Sequence, residues 1–372
     1  MKQILFIITD LCGGGAEKAL IEMLKAIDYK QYKVSLCLLF YKGVYLNEIP
    51  QPVKVISLFK DWNDFYHRKA FKKYKRHNQS WLLSWYMRWK VRGAYDVIIS
   101  FLEGPSLLYH TFLKDKAKMN ISWVHCDLLN YHFSDYYFYR SAQEKEYYAM
   151  MDKIVFVSQT AKSNFGKLYN IDVPKYCLHN VIDVDSIKVL ADGVALSPQK
   201  RLMITSIGSL LKVKGFDRLI RVANMLKSDG YDFCIQIIGI GDEEQKLIEL
   251  RDELGLQEVV AFLGFKKPPY PYLKQSDLFV STSLFEGLPL VICEAMALGI
   301  PVVATRTAGA MEILGDNLYG VLTDHNDEAI YEGIKYMLND EQLRNVYAQK
   351  GQDSVKRFLP QQIMNEFYKL LK

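Results

Sequence analysis

Short β-branched runs alternate with stretches of helical period along the whole chain, and this alternation restricts the fold more than any single motif does. Strands are predicted at Gln3–Thr9, Lys33–Phe40, Val53–Leu58, Asp96–Phe101, Asn120–Val124 and Lys153–Val157, with helices in the gaps. The pattern then loosens in NVIDVDSIKVLADGVALSPQK (180–200), which holds scattered Asp, a Gly and a Pro but little periodicity. It resumes with RLMITSIG, FCIQIIG, VVAFLGF, DLFVSTS, IPVVAT and YGVLT, again separated by helical segments. Nearly unbroken apolar strands joined by helices are parallel strands covered on both faces. The 372 residues are about twice a usual single domain. The expected fold is therefore α/β, with two Rossmann-like, doubly wound parallel-sheet domains facing a central cleft. The first domain is placed at 1–190 and the second at 198–353, with a closing helix near 354–372 able to pack back on the first. Ligands of such sheets bind at the carboxyl ends of the strands.

One apolar stretch carries two carboxylates. In FEGLPLVICEAMALGIPVVA (285–304), Glu286 falls in the loop after a strand and Glu294 on the following helix, which begins near Pro289 and is closed by Gly299 and Pro301. A helix N-terminus presents free N–H groups and a positive dipole end, which suit phosphate. A sugar hydroxyl near Glu286 and a ribose pair near Glu294 would satisfy both acceptors, with loop N–H groups holding a diphosphate between them. The spacing fits a nucleotide sugar. The alternative is that Glu286 caps the helix while Glu294 pairs with a Lys or Arg.

Charge is concentrated rather than spread. The chain nets +5, yet Tyr66 to Arg92 contains nine Lys or Arg, Lys72, Lys73 and Arg76 among them, and no acidic residue, so the rest of the chain is net negative. Trp81, Trp85 and Trp89 recur at every fourth position in the same segment and form an aromatic stripe on a helix. A stripe of this kind flanked by cations suits an anionic bilayer surface. The alternatives are core packing of the tryptophans beneath a solvated lysine face, and nucleic-acid binding, the weakest of the three. No stretch approaches the ~20 apolar residues of a membrane span. MKQILFIITD is read as a first strand rather than a signal peptide, and the six scattered cysteines as reduced core thiols. The expected location is cytoplasmic, peripheral at the inner face of the cell membrane.

The segment 285–304 resembles the E-x7-E stretch of the retaining glycosyltransferases of family 4, which have the two-domain GT-B fold. IGSLLKVKGFDRLI (207–220) is similar to that family's G-R-L…K-G-F-D-x-L-I signature, IIGIGDEEQKL (237–247) to its glycine turn, and GGGAEKALIEML (13–24) to its Gly-Gly-Ala-Glu loop. The resemblance covers nearly the whole chain. It implies Glu286, His125 and Lys214 as catalytic residues. It implies donor contacts from Gly14, Gly15, Ser209, Lys212, Lys214, Gly239, Gly287, Leu288, Pro289, Leu290 and Glu294. Ser209 stands where the family has the arginine that joins the lysine on the donor diphosphate, and Lys212 is placed to compensate in part.

His125, in SWVHCD (122–127), falls just past a strand end, where the family has a histidine facing the donor sugar. Taken without the resemblance it reads as a structural histidine. Gly13, Gly14 and Gly15 let a backbone approach a ligand closely, or make an ordinary strand-to-helix turn. Glu103, in FLEGPSLL (101–108), is an acceptor contact or a helix cap. NYHFSDYYFYR (130–140) lines an acceptor groove or forms a half-buried helix. Asp183-Val184-Asp185 spells the D-x-D of a different glycosyltransferase fold but lies in the interdomain connection, and no other cluster has metal-ligand spacing.

The expected reaction is metal-independent and needs no cofactor. A sugar moves, with retention, from a nucleoside diphosphate donor to a lipid-linked or oligosaccharide acceptor in polysaccharide assembly. Dipole, loop N–H groups and lysine stabilise the leaving diphosphate while domain closure positions the acceptor. The resemblance implies uridine as the nucleoside, with guanosine second. Two other classes compete. A membrane-associated relative that binds nucleotide without transfer would account for Ser209, and an NAD-dependent oxidoreductase would share the βαβ pattern but leave both glutamates unexplained.

Overall fold

The computed structural model describes residues 1–193 and 201–372. The stretch 194–200, part of the connection marked by the loosened sequence pattern, lies outside the described residues. The chain divides into two compact units, Met1–Val181 with Pro360–Lys372, and Ile182–Leu359.

In unit 1 the strands β1 (Lys2–Ile8), β2 (Tyr32–Phe40), β3 (Lys54–Phe59), β4 (Tyr95–Ser100), β5 (Ala117–Val124), β6 (Lys153–Phe156) and β7 (Lys175–Cys177) lie in the order 3-2-1-4-5-6-7. The pairings are parallel, with Ile7 of β1 set between Cys37 and Ser100. The order reverses between β1 and β4, which marks the switch point where ligands of such sheets sit. Helices α1 (Gly15–Ala26), α2 (Phe65–His77), α3 (Trp81–Lys90), α4 (Pro105–Thr111), α5 (Ser141–Tyr148) and α6 (Gln159–Leu168) make the connections. Ile4 to Ile8 are wholly buried, as an apolar run covered on both faces requires. Of the strands in this sheet, β7 alone was not expected from the sequence. Its three residues, KYC, are too short for an alternating pattern and are held by pairing with Ile154–Phe156.

In unit 2, β8 (Leu202–Ile207), β9 (Phe233–Ile238), β10 (Val260–Phe262), β11 (Leu278–Ser281), β12 (Val302–Thr305) and β13 (Val321–Thr323) lie in the order 10-9-8-11-12-13, all parallel. Its switch point falls between β8 and β11. The helices are α7 (Val184–Ala191), α8 (Phe216–Ser228), α9 (Glu244–Glu253), α10 (Tyr270–Lys274), α11 (Leu290–Ala297), α12 (Ala308–Leu314), α13 (Asp327–Leu338) and α14 (Glu341–Val355). On α8, the residues Phe216, Leu219, Ile220, Val222, Ala223 and Leu226 form a stripe of helical period and are all buried. Asp183 accepts from the Ser186 amide at 3.0 Å and is the N-cap of α7, so one carboxylate of the D-x-D triplet is occupied in starting a helix.

The last helix, α15 (Pro360–Leu370), belongs to unit 1. Its Phe367 packs on Phe6 and Trp123, and Lys2 and Lys153 donate to the carbonyls of Leu371 and Leu370 at 3.0 and 2.6 Å. All six cysteines are thiols outside any disulfide. Cys37 and Cys293 are core residues, whereas Cys12 is exposed and the rest are half-buried, so the expectation of core thiols holds for two.

Candidate functional site

In unit 2 the loops leaving β8 and β11, the two strands of the switch point, are tied together. After Ile207 the chain runs through Gly208 and the exposed Ser209 to a short 3-10 turn, Lys212–Lys214, and enters α8 through Gly215. The Leu284 amide donates to Val213 O at 2.7 Å, and Thr282 Oγ1 donates to Gly215 O at 2.9 Å. These bonds bring Lys214 and Glu286, 72 positions apart, into an ion pair of 2.5 Å, with side-chain exposures of 25% and 14%. Ser283 Oγ donates to the same Oε1 at 2.8 Å.

Gly287, Leu288 and Pro289 carry the chain from Glu286 to α11, whose first turn begins at Leu290 with no side-chain cap. Ile292 N–H donates to Pro289 O at 3.1 Å, so the leading amides left for an anion are those of Leu290 and Val291. Pro289 is the N-cap residue rather than part of the first turn. Gly309 fixes the loop from the other side. Its amide donates to Glu286 O at 3.1 Å, and a Cβ there would stand 2.6 Å from Gly287 O. Glu294 is 2% exposed on α11.

Two glycines are demanded by this geometry. Gly239 has φ +151°, and a Cβ on it would lie 1.8 Å from Gly208 O, so the turns after β8 and β9 can press together only over glycine. Leu210 N–H then donates to Ile240 O at 2.9 Å. Gly215 has φ +62°, and a Cβ there would meet Thr282 O at 2.4 Å. Gly215→Ala is expected to cost about 2–4 kcal/mol from backbone strain and displaced packing. Chemical denaturation should show this as a lower midpoint with an unchanged slope.

Several supporting residues escape sequence reasoning. Arg218 is 7% exposed and donates to Thr282 O and to His325 O, the latter at 2.7 Å, so its guanidinium pins the loop after β11 and that after β13 to the start of α8. Ser283 and Gly309 act on Glu286 as described. The available signals were proximity alone: Ser283 lies three residues before Glu286 and Arg218 four after Lys214. Lys212 is exposed and is not drawn into the cluster.

In unit 1, His125 directly follows β5 at the carboxyl edge. Its ring lies 4.6 Å from the Phe101 ring centroid, and Nε2 is buried without a hydrogen-bond partner. Burial pushes its pKa down to about 3, so the imidazole is neutral at physiological pH. Glu103 is 2% exposed, and its Oε2 accepts from the His125 amide at 2.9 Å. It therefore stands as an internal tie between the loops after β4 and β5, neither open to an acceptor nor a cap for α4, whose N-cap is Gly104. In the glycine loop, Gly13 has φ +114°, whereas Gly14, the N-cap of α1, has φ −73°. A Cβ on Gly15 would meet nothing. The special conformation thus sits one residue ahead of the pair expected to contact the donor.

The aromatic stretch 130–140 forms a 3-10 turn, Phe133–Tyr137, rather than an amphipathic helix. Beneath it the buried Glu144 accepts from Ser134 at 2.7 Å and Tyr169 at 3.0 Å and pairs with His132 at 2.6 Å. His132, Asp135 and Glu144 bring potential ligand atoms within 4.8 Å of one another, but His132 and Glu144 are already engaged in these bonds. The bond to Glu144 outweighs partial burial and raises the His132 pKa. The folded state then holds this proton more tightly than the unfolded chain does. The stabilisation is complete below about pH 6.5, the unfolded value, and is lost as pH rises through the raised folded value. The thermal midpoint is expected to fall across that interval, and His132→Gln to flatten the fall.

Trp81, Trp85 and Trp89 project from α3 with exposures of 59%, 64% and 49%, which removes the core-packing alternative for them. Lys72 and Arg76 are exposed on α2, and Lys73 lies over the Trp81 ring at 5.5 Å. Among the described residues no helix is long and apolar enough to cross a membrane.

Comparison with known proteins accounts for both units. Residues 13–186 match the family described as Glycosyltransferase Family 4, and residues 191–354 that described as Glycosyl transferases group 1. The chain is 37% identical over 204 residues to a Campylobacter jejuni N-acetylgalactosamine-N,N'-diacetylbacillosaminyl-diphospho-undecaprenol 4-alpha-N-acetylgalactosaminyltransferase, covering 53% of this chain and 54% of that one. It is 32% identical over 181 residues to a putative colanic acid biosynthesis glycosyltransferase of Escherichia coli, covering 45% and 44%. The chain spans about half the length of the curated relatives it matches. Among solved structures, Staphylococcus aureus TarM in complex with Fondaparinux, alpha-GlcNAc-glycerol and UDP superposes with a TM-score of 0.79 at 14% identity, over 100% of both chains. Anabaena HepE with UDP and glucose gives 0.76 at 21%, over 100% of this chain and 99% of that one.

Proposed function

Because the chain belongs to the family 4 glycosyltransferases and has their GT-B fold, we propose that it transfers a sugar from a nucleoside diphosphate sugar to a lipid-linked glycan in bacterial surface-polysaccharide assembly. The observation that carries this reading is the convergence of Lys214, Glu286 and the uncapped first turn of α11 at the switch point of unit 2. Lys214 and the amides of Leu290 and its neighbours are suited to a diphosphate, and the Glu286 carboxylate to sugar hydroxyls.

The donor is a uridine diphosphate sugar in this reading, and the two structural neighbours named above were solved with UDP. The acceptor carries a polyprenyl diphosphate, which is supported by the name of the Campylobacter relative. The reaction proceeds with retention and without a metal. Ammonium and amide dipoles stabilise the charge that develops on the departing diphosphate, in a setting that does not reorganise during the step. Unit 1 takes the acceptor. Neutral His125 offers its orphaned Nε2 for a hydrogen bond, held in place by Glu103 through the backbone. With its acceptor anchored in lipid, the enzyme works peripherally at the inner face of the membrane.

Thermal unfolding in the presence of UDP, GDP, UDP-sugars and NAD tests the reading. A ligand at 100 times its dissociation constant adds about 2.7 kcal/mol to native stability. Stabilisation by uridine nucleotides supports it. Stabilisation by GDP instead corrects the base, and stabilisation by NAD alone, or by none of the nucleotides, overturns it.

A further inference from the structure

Tryptophan is the costliest common side chain to leave in water, yet three of the five in this chain stand at least half exposed, or nearly so, on one ten-residue helix. On α3 they occupy positions i, i+4 and i+8, while Leu83 and Met87 turn inward and Leu82 and Tyr86 pack partly against the unit 1 core. The outward stripe is therefore surplus to folding. The rings of Trp85 and Trp89 stack at 6.4 Å, forming a continuous aromatic ridge instead of isolated side chains.

The neighbouring helix extends this surface. On α2 the positions 65, 69, 72 and 76 share one face, and Phe65, Lys69, Lys72 and Arg76 at those positions are all exposed. Lys69 lies 4.1 Å from the Phe65 ring centroid, and Lys73 reaches from α2 to Trp81 on α3. Three of the nine cations make hydrogen bonds within the fold, and Arg92 is one of them, its Nε donating to Trp89 O at 3.3 Å. Arg88 pairs with Asp115, and Lys75 donates to the carbonyls of Tyr136 and Phe138. Arg68, Lys69, Lys72, Lys73, Arg76, Lys90 and Arg92 have no carboxylate partner among the described residues. Unpaired cations ringing exposed indoles match an interface that is negative at its surface and apolar a few ångströms below it.

We infer that α2 and α3 together form a docking surface for an anionic phospholipid bilayer, and that lipid charge and ionic strength thereby regulate access to the acceptor. The inference rests on the reading of the acceptor as lipid-linked. Docking confines enzyme and acceptor to one plane and raises the effective concentration of each for the other. It leaves the chemistry on a soluble acceptor unchanged.

The test is cosedimentation of the full chain with vesicles of phosphatidylcholine alone or mixed with phosphatidylglycerol, at low and high salt, without donor or acceptor. Binding to the mixed vesicles is expected, with loss in salt and little binding to phosphatidylcholine. Lys69→Gln, Lys72→Gln and Arg76→Gln together are expected to weaken partition by about a hundredfold, since each cation near such a surface contributes roughly fivefold. Trp81→Ala, Trp85→Ala and Trp89→Ala together should abolish sedimentation. All six side chains are exposed or nearly so, and an unchanged thermal midpoint checks that the variants fold. Equal binding to neutral vesicles, or unweakened binding by either triple variant, overturns the inference. So does concentration-dependent dimerisation or retention on DNA through these residues with no vesicle binding. Uridine nucleotide stabilisation without vesicle binding defeats this inference while the transferase reading stands, and vesicle binding without nucleotide stabilisation does the reverse.

Discussion

Lys214→Ala is expected to lower sugar transfer by two to three orders of magnitude with the fold intact. Removing one preorganised stabiliser of developing charge costs about 10²–10³ in turnover. Here the loss falls on a site with little redundancy, because Ser209 supplies no charge where the family has an arginine and Lys212 points to solvent. The Lys214 ammonium rests on Glu286, which Ser283 also holds. On the proposed reading, a diphosphate would draw the ammonium away from this carboxylate. Initial rates with a saturating donor, together with nucleotide-dependent thermal shifts, check the prediction. Lys214→Ala should diminish both turnover and the shift. Glu286→Gln keeps the Ser283 hydrogen bond and releases Lys214, so it should preserve or enlarge the nucleotide shift while turnover falls. A Lys214→Ala protein with undiminished turnover would remove the residue from the mechanism.

The two loops that carry Lys214 and Glu286 were visible in the sequence to different degrees. The apolar runs that became β1, β4, β8 and β11 are legible because parallel strands buried on both faces have no polar alternation to disguise them. The loop Phe285–Pro289 was legible because a strand end, a break and a helix start follow one another within ten residues. What joins the loop to Lys214 was not. Leu284 N–H to Val213 O and Thr282 Oγ1 to Gly215 O span about seventy positions, and a backbone carbonyl that accepts a distant donor leaves no residue signature. Glu103 shows the converse limit. A glutamate after a strand looks like a ligand contact until its surroundings show it buried against the His125 amide. The glycine loop was placed correctly after β1, but which glycine is required depends on φ, and the positive value falls on Gly13. The three-residue β7 exists through its neighbour β6 and not through its own sequence.

Arg218→Met is expected to destabilise unit 2 by about 2–4 kcal/mol, because two loop carbonyls lose a buried, charge-assisted donor at once. At 7% exposure the replacement fits the volume of the side chain but offers no hydrogen to Thr282 O or His325 O. For a unit of this size the loss corresponds to a fall of roughly 5–15 °C in the midpoint of the first thermal transition. Arg218→Lys should recover part of it, since an ammonium reaches one carbonyl but lacks the planar fork that spans both. The consequence extends to the site. Thr282 immediately precedes Ser283 and, through it, Glu286, and its hydroxyl also holds Gly215 beside Lys214. A guanidinium anchored there fixes the spacing of the ammonium and the carboxylate from below. In Arg218→Met, nucleotide affinity is therefore expected to weaken even at temperatures where the protein remains folded. An unaltered affinity in the folded variant would confine Arg218 to stability and leave Lys214 and Glu286 positioned by the loop hydrogen bonds alone.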